Sequence, residues 1–345
     1  MITINLRELK EIIRMSVAER LSVIALGSPG IGKTEIMCKV AGEEGIACLI
    51  HDVPGLDPTD TKGLLSIDMN RSINTLSALL PDPKKHGERG ILLFDEITSG
   101  APSVQVSLHP VFHPKERRLG SDSLPDGWIP MATGNYATDG AGATGLLTAL
   151  SDRANIVNVV SDVLIWKEDY AIPQGLHPIT IGLINFDPEL LNTFDKRDKA
   201  GRGKLFASER SHTHVSKVLY YADKYQISQS ALLAAIAGYV GDGVASHYMA
   251  FRKHYLELPD PREILVKGKN IVPKESSILY ALCSAIVHNL ELVGLPIQKA
   301  IDRMLEYSLQ IDAEFGGVMI RDAYIKHRAA INRSCHWPTV AKRYF

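Results

Sequence analysis

Hydrophobic positions in the first 160 residues switch between helical spacing and short continuous runs. A helix over 4–16 is predicted from five apolar positions at helical spacing, namely Ile4, Leu6, Leu9, Ile12 and Ile13. Five apolar runs predict strands near 21–26, 46–53, 91–94, 128–133 and 154–160. Such runs are typical of strands that are covered on both faces. A helical stretch from Lys33 to about Gly42 lies between the first two runs, so the pattern indicates a βαβ unit within a five-stranded parallel sheet.

The segments between the later strands are more polar. Residues 54–90 are rich in proline, aspartate, glycine and lysine, and only a weak helix is predicted within 72–80. A helix is predicted over 102–113. Residues 114–127 carry charges together with Gly120, Pro125 and Gly127, which favours a surface hairpin or loop.

After residue 161 the pattern becomes helical, and no further βαβ alternation follows. Apolar residues recur at helical spacing in 214–225, 229–240, 277–290 and 297–309. Residues 195–204 are dominated by charges and predict a solvated loop. We therefore expect an α/β domain over 1–160, a helical domain over 161–260, and a helical extension over 261–345 that packs with it.

Composition limits the classes of protein that fit this pattern. The chain has 345 residues, of which 45% are hydrophobic and 22% charged, and its formal net charge is -1. The net charge therefore gives no overall electrostatic attraction to nucleic acid or an anionic membrane, although it does not exclude a local basic groove. The four cysteines are dispersed, which argues against a disulfide framework or zinc ribbon and suits a reducing compartment.

Targeting signals are also missing from the pattern. The first residues do not combine a basic segment with an apolar run, which argues against a signal peptide. No stretch reaches the ~18 apolar residues that a membrane span needs. A cytoplasmic protein that does not enter a membrane is the expectation.

The strongest chemical signal is a glycine-rich loop between the first predicted strand and the following helix. It reads Gly27-Ser28-Pro29-Gly30-Ile31-Gly32-Lys33-Thr34, and its spacing matches the phosphate-binding loop. The glycines let backbone N–H groups face phosphate oxygens at the positive end of a helix. Lys33 would bind the β and γ phosphates, and the Thr34 hydroxyl would ligate Mg2+. The alternative, a chance glycine-rich turn, does not explain the strand and helix on either side.

Two carboxylates follow the buried run 91–94. In an open parallel sheet, ligands bind at the carboxyl ends of the strands, which is where Asp95 and Glu96 lie. Asp95 would hold the Mg2+ shell, and Glu96 would act as general base toward the attacking water. The alternative is that the pair caps the next helix.

A third candidate ends the strand that begins near Trp128. It reads Thr133-Gly134-Asn135, and the Asn135 amide could hold the lytic water or the γ-phosphate beside Glu96. An ordinary turn asparagine is equally compatible with the Gly-Asn pair.

These three elements, in this order and spacing, resemble the AAA+ ATPases and, within them, the MoxR group. The resemblance is dense from about 20 to 160 and fainter beyond. Its further motifs are Leu56-Asp57-Pro58-Thr59-Asp60-Thr61-Lys62-Gly63-Leu64, Phe94-Asp95-Glu96-Ile97, Arg117-Arg118-Leu119-Gly120, Ala132-Thr133-Gly134-Asn135 and Leu150-Ser151-Asp152-Arg153.

The resemblance implies roles for three residues. Asn135 would be the first sensor, and Arg153 would be an arginine finger that reaches the ATP of a neighbouring subunit. Ser208-Glu209-Arg210-Ser211 resembles the start of a lid helix whose arginine, here Arg210, is the second sensor. Glu209 stands where many relatives have proline. A salt bridge within the subunit is the other reading of Arg153, and a surface arginine that of Arg210.

A finger acting between subunits implies a homo-oligomeric ring, which in related proteins is usually a hexamer. The segments 63–80 and 114–127 would face a partner or substrate. Arg117 and Arg118 are either second contacts between subunits or a solvated charge pair on a hairpin.

The resulting expectation is a MoxR-like ATPase that uses ATP and Mg2+ to remodel or activate a partner protein, which by association could carry a von Willebrand factor A domain. The first alternative is a nucleic-acid motor or loader, which the near-zero net charge disfavours without excluding nucleic acid. The second is a nucleotide-gated scaffold with little turnover, against which intact Glu96 and Arg153 argue.

Overall fold

The computed structural model describes residues 2–63, 65–68, 71–74, 78–136, 146, 148–194 and 205–344, with only the backbone at 65–68, 71–74 and 149. The chain divides into two compact units, Met1–Ser161 and Asp162–Phe345. The loop predicted over 195–204 lies outside the described residues.

The described strands all belong to the first unit. In chain order they are β1 Thr3–Ile4, β2 Val23–Leu26, β3 Ala47–Asp52, β4 Leu65–Asp68, β5 Arg71–Asn74, β6 Gly90–Asp95, β7 Arg118–Leu119, β8 Asp122–Ser123, β9 Trp128–Gly134 and β10 Asn155–Val159. Six of them form one sheet in the order β1-β10-β2-β9-β6-β3, and every neighbouring pair is parallel. The α/β class with a parallel sheet is therefore confirmed.

The described residues form a sheet of six strands, and the prediction of five was wrong. The additional strand β1 pairs Thr3 with Asn158 and Ile4 with Val159. Ile4 therefore lies in a strand and not in the predicted helix. The helix begins at Leu6 because the Asn5 side chain accepts hydrogen bonds from backbone N–H groups of the first turn, while Glu8 accepts one from the Asn5 backbone.

Helices of the first unit cover both faces of the sheet. They are α1 Leu6–Glu19, α2 Lys33–Glu43, α3 Pro58–Lys62, α4 Pro83–His86, α5 Pro102–Leu108 and α6 Thr148–Ser151. Alternate residues of β6 separate into two cores, with Ile91 and Leu93 beside α1 and α2, and Leu92 and Phe94 beside α5. A continuous apolar run thus supplies both faces, as expected for a parallel strand between helices.

Two connecting segments contain small antiparallel pairs. Strands β7 and β8 pair within 114–127, so the segment predicted to be a surface hairpin or loop contains a hairpin. The weak helix predicted within 72–80 was wrong over 72–74, because this stretch belongs to β5 and pairs with β4, with Leu65 opposite Asn74. Cross-strand pairing, which a local pattern does not contain, decides the structure here.

In the second unit, every regular secondary-structure element of the described residues is helical. Its helices are α7 Val163–Trp166, α8 Pro178–Phe186, α9 Glu209–Lys224, α10 Gln229–Leu256, α11 Pro261–Leu265, α12 Ser276–Asn289, α13 Ile297–Ser308, α14 Ala313–Arg333 and α15 Trp337–Tyr344, with a π-helical turn at Lys167–Ala171. The four predicted helical stretches are confirmed. One core contains residues from both sides of position 260, and the predicted division there stays a prediction. None of the described helices combines the length and apolar character needed to cross a membrane.

Candidate functional site

The strand order brings three chain segments to one edge of the sheet. Strand β9 lies between β2 and β6, with Leu26 opposite Gly134 and Phe94 opposite Ala132. The three strands are parallel, so their carboxyl ends meet at this edge. The segments that follow them are the glycine-rich loop, the acidic pair and the amide segment, which are therefore neighbours in space.

The loop Gly27–Thr34 joins β2 to α2 as predicted. Gly30 and Gly32 have φ values of 83° and 95°, in the left-handed region that favours glycine. A Cβ atom on Gly27 would lie 2.3 Å from the Val159 carbonyl oxygen, so this position also admits only glycine. Helix α2 begins at Lys33, and its first turn therefore faces the loop.

Lys33 points back into the loop and is only 7% exposed. Its Nζ atom donates to the carbonyl oxygens of Gly27 at 2.7 Å and Ser28 at 2.9 Å, and to Asn135 Oδ1 at 3.3 Å. These three partners are neutral. A phosphate carries the negative charge that these three oxygens lack, so it attracts the ammonium more strongly and would compete with them.

Asp95 is the last residue of β6, and its side chain contacts both the glycine-rich segment and β9. Its Oδ1 atom accepts a hydrogen bond from Thr34 Oγ1 at 2.8 Å and a second from Thr133 Oγ1. Thr34 and Asp95, the two predicted metal ligands, are thus in direct contact. Both present hard oxygen atoms, which are the ligands that Mg2+ prefers.

Glu96 follows Asp95 with an unusual backbone conformation. Its φ of 54° lies in the left-handed region, which few residues other than glycine adopt. The Glu96 N–H donates to Asp95 Oδ1 at 3.2 Å and to Thr133 Oγ1 at 3.3 Å, which fixes this turn. The Glu96 side chain is exposed. Strained backbone of this kind, costing about 1–3 kcal/mol, clusters at functional sites.

Asn135 is buried beside Lys33 and is 5% exposed. Its backbone N–H donates to Thr98 Oγ1 at 2.9 Å, and Gly134 lies directly against the Thr98 side chain. The backbone of Asn135 is therefore held by tertiary contacts from the segment after β6. This placement brings Asn135 to the predicted site and does not resemble a solvated turn.

The structure thus shows two positioning residues that sequence reasoning missed. Thr98 holds the Asn135 backbone, and Thr133 bridges Asp95 and Glu96. The sequence did contain a signal for Thr133, because a strand residue two positions before Asn135 at the ligand-binding edge is well placed to contact the neighbouring strand end. No pattern in the sequence indicated a positioning role for Thr98.

The arginines of the first unit differ in their surroundings. Arg153 is half-buried, its Nη1 atom lies 3.5 Å from the His109 carbonyl oxygen, and it forms no ion pair with any residue that the structure describes. Arg117 is half-buried and donates to the carbonyl oxygens of Arg20 and Trp128. Burial, followed by the nearby Arg20 charge, lowers the pKa of Arg117. Arg118 is exposed and pairs with Glu116 at 3.4 Å.

Arg210 belongs to the second unit. It is exposed and lies in the first turn of α9, which begins at Glu209. The Ser208 side chain accepts a hydrogen bond from the Ser211 N–H, which confirms the predicted helix start. The sensor role of Arg210 stays a prediction.

The residues at the edge fit a nucleotide with Mg2+. The separation of 2.8 Å between Thr34 Oγ1 and Asp95 Oδ1 is close to the spacing of adjacent ligands in an octahedron with metal–oxygen bonds of about 2.0–2.1 Å. Lys33 supplies the positive charge, and Gly30 and Gly32 allow the left-handed backbone of the loop.

Comparisons with known proteins give little further information. No protein-family model matches the chain, and no curated protein matches it either. Among solved structures, NtrX from Brucella abortus in complex with ADP is 15% identical, over 97% of this chain and 67% of that chain, with a TM-score of 0.35. A RuvB mutant from Thermotoga maritima is 14% identical, over 88% of this chain and 74% of that chain, with a TM-score of 0.35. At TM-scores of 0.35, these likenesses do not define the function of this chain.

Proposed function

We propose that the chain is an ATP-hydrolysing AAA+ protein of the MoxR group that remodels or activates a partner protein. The observation that carries the proposal is the contact of Lys33 with Asn135 and of Thr34 with Asp95 at one edge of the parallel sheet. A glycine-rich loop alone supports nucleotide binding. The carboxylates and the amide beside it add the groups that hydrolysis requires.

The proposed roles follow from the geometry. Lys33 binds the β and γ phosphates with help from the backbone of the loop and the N-terminus of α2. Thr34 and Asp95 hold Mg2+, which when bound neutralises charge on the phosphates. Glu96 accepts a proton from the attacking water, and its exposed position at the mouth of the site suits that role. Asn135 orients the water or the γ-phosphate.

Arg153 is proposed to complete the site of a neighbouring subunit. Its cis contact is a long one to a carbonyl oxygen, and no described carboxylate pairs with it. Its charge is therefore available to stabilise the transferring phosphoryl group of another copy. This role requires a homo-oligomeric ring, proposed to be a hexamer. Arg117, whose guanidinium is engaged within its own unit, is the weaker candidate for such a contact.

The partner is proposed to be a protein, with a von Willebrand factor A domain as the associational candidate. The short strand pair β7–β8 and the strand pair β4–β5 are the segments proposed to contact it. Hydrolysis would be coupled to the partner through movement of the helical unit, with Arg210 as second sensor.

Steady-state ATPase measurements test the proposal directly. The full chain with ATP and Mg2+ should release phosphate, and Glu96→Gln should lower kcat by about 100- to 10,000-fold while nucleotide binding persists. Glu88→Gln is the matched control, because Glu88 is exposed and precedes the opposite end of β6. Unchanged turnover in Glu96→Gln would contradict the assignment of the base.

Two further experiments distinguish the proposed function from a nucleic-acid motor and from a nucleotide-gated scaffold. Strong stimulation by DNA or RNA, with a steep salt dependence, would favour a nucleic-acid motor. If partner activation is unaffected by Glu96→Gln, a nucleotide-gated scaffold is the better description. Under our proposal, Glu96→Gln in ATP retains the partner protein in a pull-down, whereas Lys33→Ala does not.

A further inference from the structure

Two cysteines that are ten positions apart come into contact in the first unit. Cys38 lies on α2 and Cys48 on β3, and their Sγ atoms are 2.7 Å apart. Both pack against the core formed by α1, α2 and the sheet, with Met37 and Val40 among its members. Because helix α2 and strand β3 are held by that core, the approach of the two sulfurs follows from the fold and not from chance rotamers on a mobile loop.

The pair is accessible to small oxidants. Both cysteines are free thiols and half-buried, so each retains some contact with solvent. Strand β3 is the last strand in the order of the described sheet, which leaves its outer edge without a strand neighbour among the described residues. The buried Cys283 and the exposed Cys335 lie in the second unit and serve as internal references.

The two sulfurs differ in character. The contact with the Cys48 sulfur lowers the pKa of Cys38, whereas the same contact and burial raise the pKa of Cys48. Thiolate character therefore concentrates on Cys38. A nucleophilic thiol beside a protonated partner is the arrangement found where one cysteine reacts first and the second resolves the product.

We propose that Cys38 and Cys48 form a reversible, redox-active dithiol that a peroxide converts into a disulfide. The Cys38 thiolate attacks a peroxide oxygen, the O–O bond breaks, and hydroxide leaves to become water, which places a sulfenic acid on Cys38. The Cys48 sulfur then loses its proton and attacks Cys38, the S–O bond breaks, and a second water leaves. Two thiols and one hydrogen peroxide thus give one disulfide and two waters, and a dithiol reductant restores the thiols by exchange.

The short distance decides between this pair and ordinary core cysteines. Disulfide formation needs an S–S bond of about 2.0 Å, so the sulfurs must approach by well under 1 Å. In reducing compartments, disulfides that do form are usually transient or redox-sensing. The bond would tie α2, whose first residues are Lys33 and Thr34, to β3.

Thiol mapping of the full chain tests the proposal. The protein is treated with hydrogen peroxide, quenched with N-ethylmaleimide under denaturing conditions, and digested without reduction. The expected product is a linked pair of peptides containing Cys38 and Cys48, lighter by two hydrogen atoms and separated again by dithiothreitol. Cys335→Ser is the matched control and should give the same linked pair.

Two variants identify the order of the steps. In Cys48→Ser the reaction should stop at a Cys38 sulfenic acid that dimedone captures, and in Cys38→Ser the Cys48 thiol should be recovered unmodified. Native maleimide labelling of Cys283, which is 2% exposed, should stay absent if each variant is folded. Recovery of unlinked Cys38 and Cys48 at peroxide doses that oxidise Cys335, or linkage of either to another cysteine, would overturn the proposal.

Discussion

The Lys33 ammonium lies 3.3 Å from Asn135 Oδ1, although 102 positions separate the two residues along the chain. Strand β9 makes this contact possible by inserting between the strands that carry the loop and the acidic pair. A cation and an amide from distant segments thereby lie side by side at the carboxyl edge of the sheet. The contact also restrains both side chains beside the loop where a phosphate would bind.

Lys33→Ala is expected to weaken ATP binding by roughly 10- to 100-fold, which corresponds to the loss of a charge-assisted hydrogen bond. Titration calorimetry with ATP and Mg2+ measures the effect. Lys39→Ala, which removes an exposed lysine from the same helix, should bind as the wild type does. Equal affinities for wild type and Lys33→Ala would remove Lys33 from the site.

Arg153→Ala should retain ATP binding and lose turnover, by about 1,000-fold or more if the arginine acts as a finger. Mixing Arg153→Ala with Glu96→Gln subunits should restore part of the activity, since some interfaces of a mixed ring contain Glu96 and Arg153 together. Phosphate release at several mixing ratios measures this. Absence of recovery at every ratio would argue that Arg153 acts within its own subunit.

Gly134→Ala should damage both stability and turnover. A Cβ atom there would lie 2.8 Å from Thr98 Cγ2 and 3.0 Å from Leu26 Cδ2, so the buried segment that positions Asn135 must shift. We expect a loss of about 1–3 kcal/mol in the free energy of unfolding. Gly42→Ala is the control, because beyond the neighbouring backbone of α2 nothing lies within 4 Å of its Cβ position, and alanine favours the helix by about 1 kcal/mol. Urea unfolding followed by circular dichroism compares them.

The free energy of unfolding should decrease as the pH falls below 6.5, because the buried His212 side chain resists protonation. Its side chain is fully buried, with Nδ1 2.7 Å from the Tyr248 hydroxyl oxygen and Nε2 2.9 Å from the Leu190 carbonyl oxygen. Burial lowers the pKa of His212 to about 4, against 6.5 for an ordinary histidine. At pH values between about 4 and 6.5, His212 is protonated in the unfolded chain and neutral in the folded protein. The His212 contribution is therefore present above pH 6.5 and lost as the pH falls toward 4, by roughly 3 kcal/mol in all.

Urea unfolding of wild type and His212→Gln from pH 7 to pH 4 checks this prediction. The free energy of unfolding of the variant should depend less on pH over that interval. His247→Gln, which alters an exposed histidine of the same unit, should keep the wild-type pH dependence. Parallel curves for wild type and His212→Gln would show that His212 does not titrate as expected.

Local patterns predicted most of the elements that position the site. The strand before Gly27, the helix from Lys33 and the buried strand before Asp95 all follow from short-range periodicity and glycine spacing. The predictions failed where pairing partners decide the structure. Strand β1 has only two residues, and β5 takes its conformation from β4, so neither carries a periodic signal of its own.

The sequence alone determined which groups are available for chemistry, since the loop glycines, Lys33, Thr34, Asp95, Glu96 and Asn135 were all recognised from spacing and residue type. Only the tertiary structure decided which of them touch. The strand order, the support of Asn135 by Thr98 and the contact of Cys38 with Cys48 depend on how the strands and helix α2 pack. The reason is physical: backbone preference and hydrophobic period act over a few residues, whereas the order of parallel strands is set by burial of both sheet faces over the whole unit.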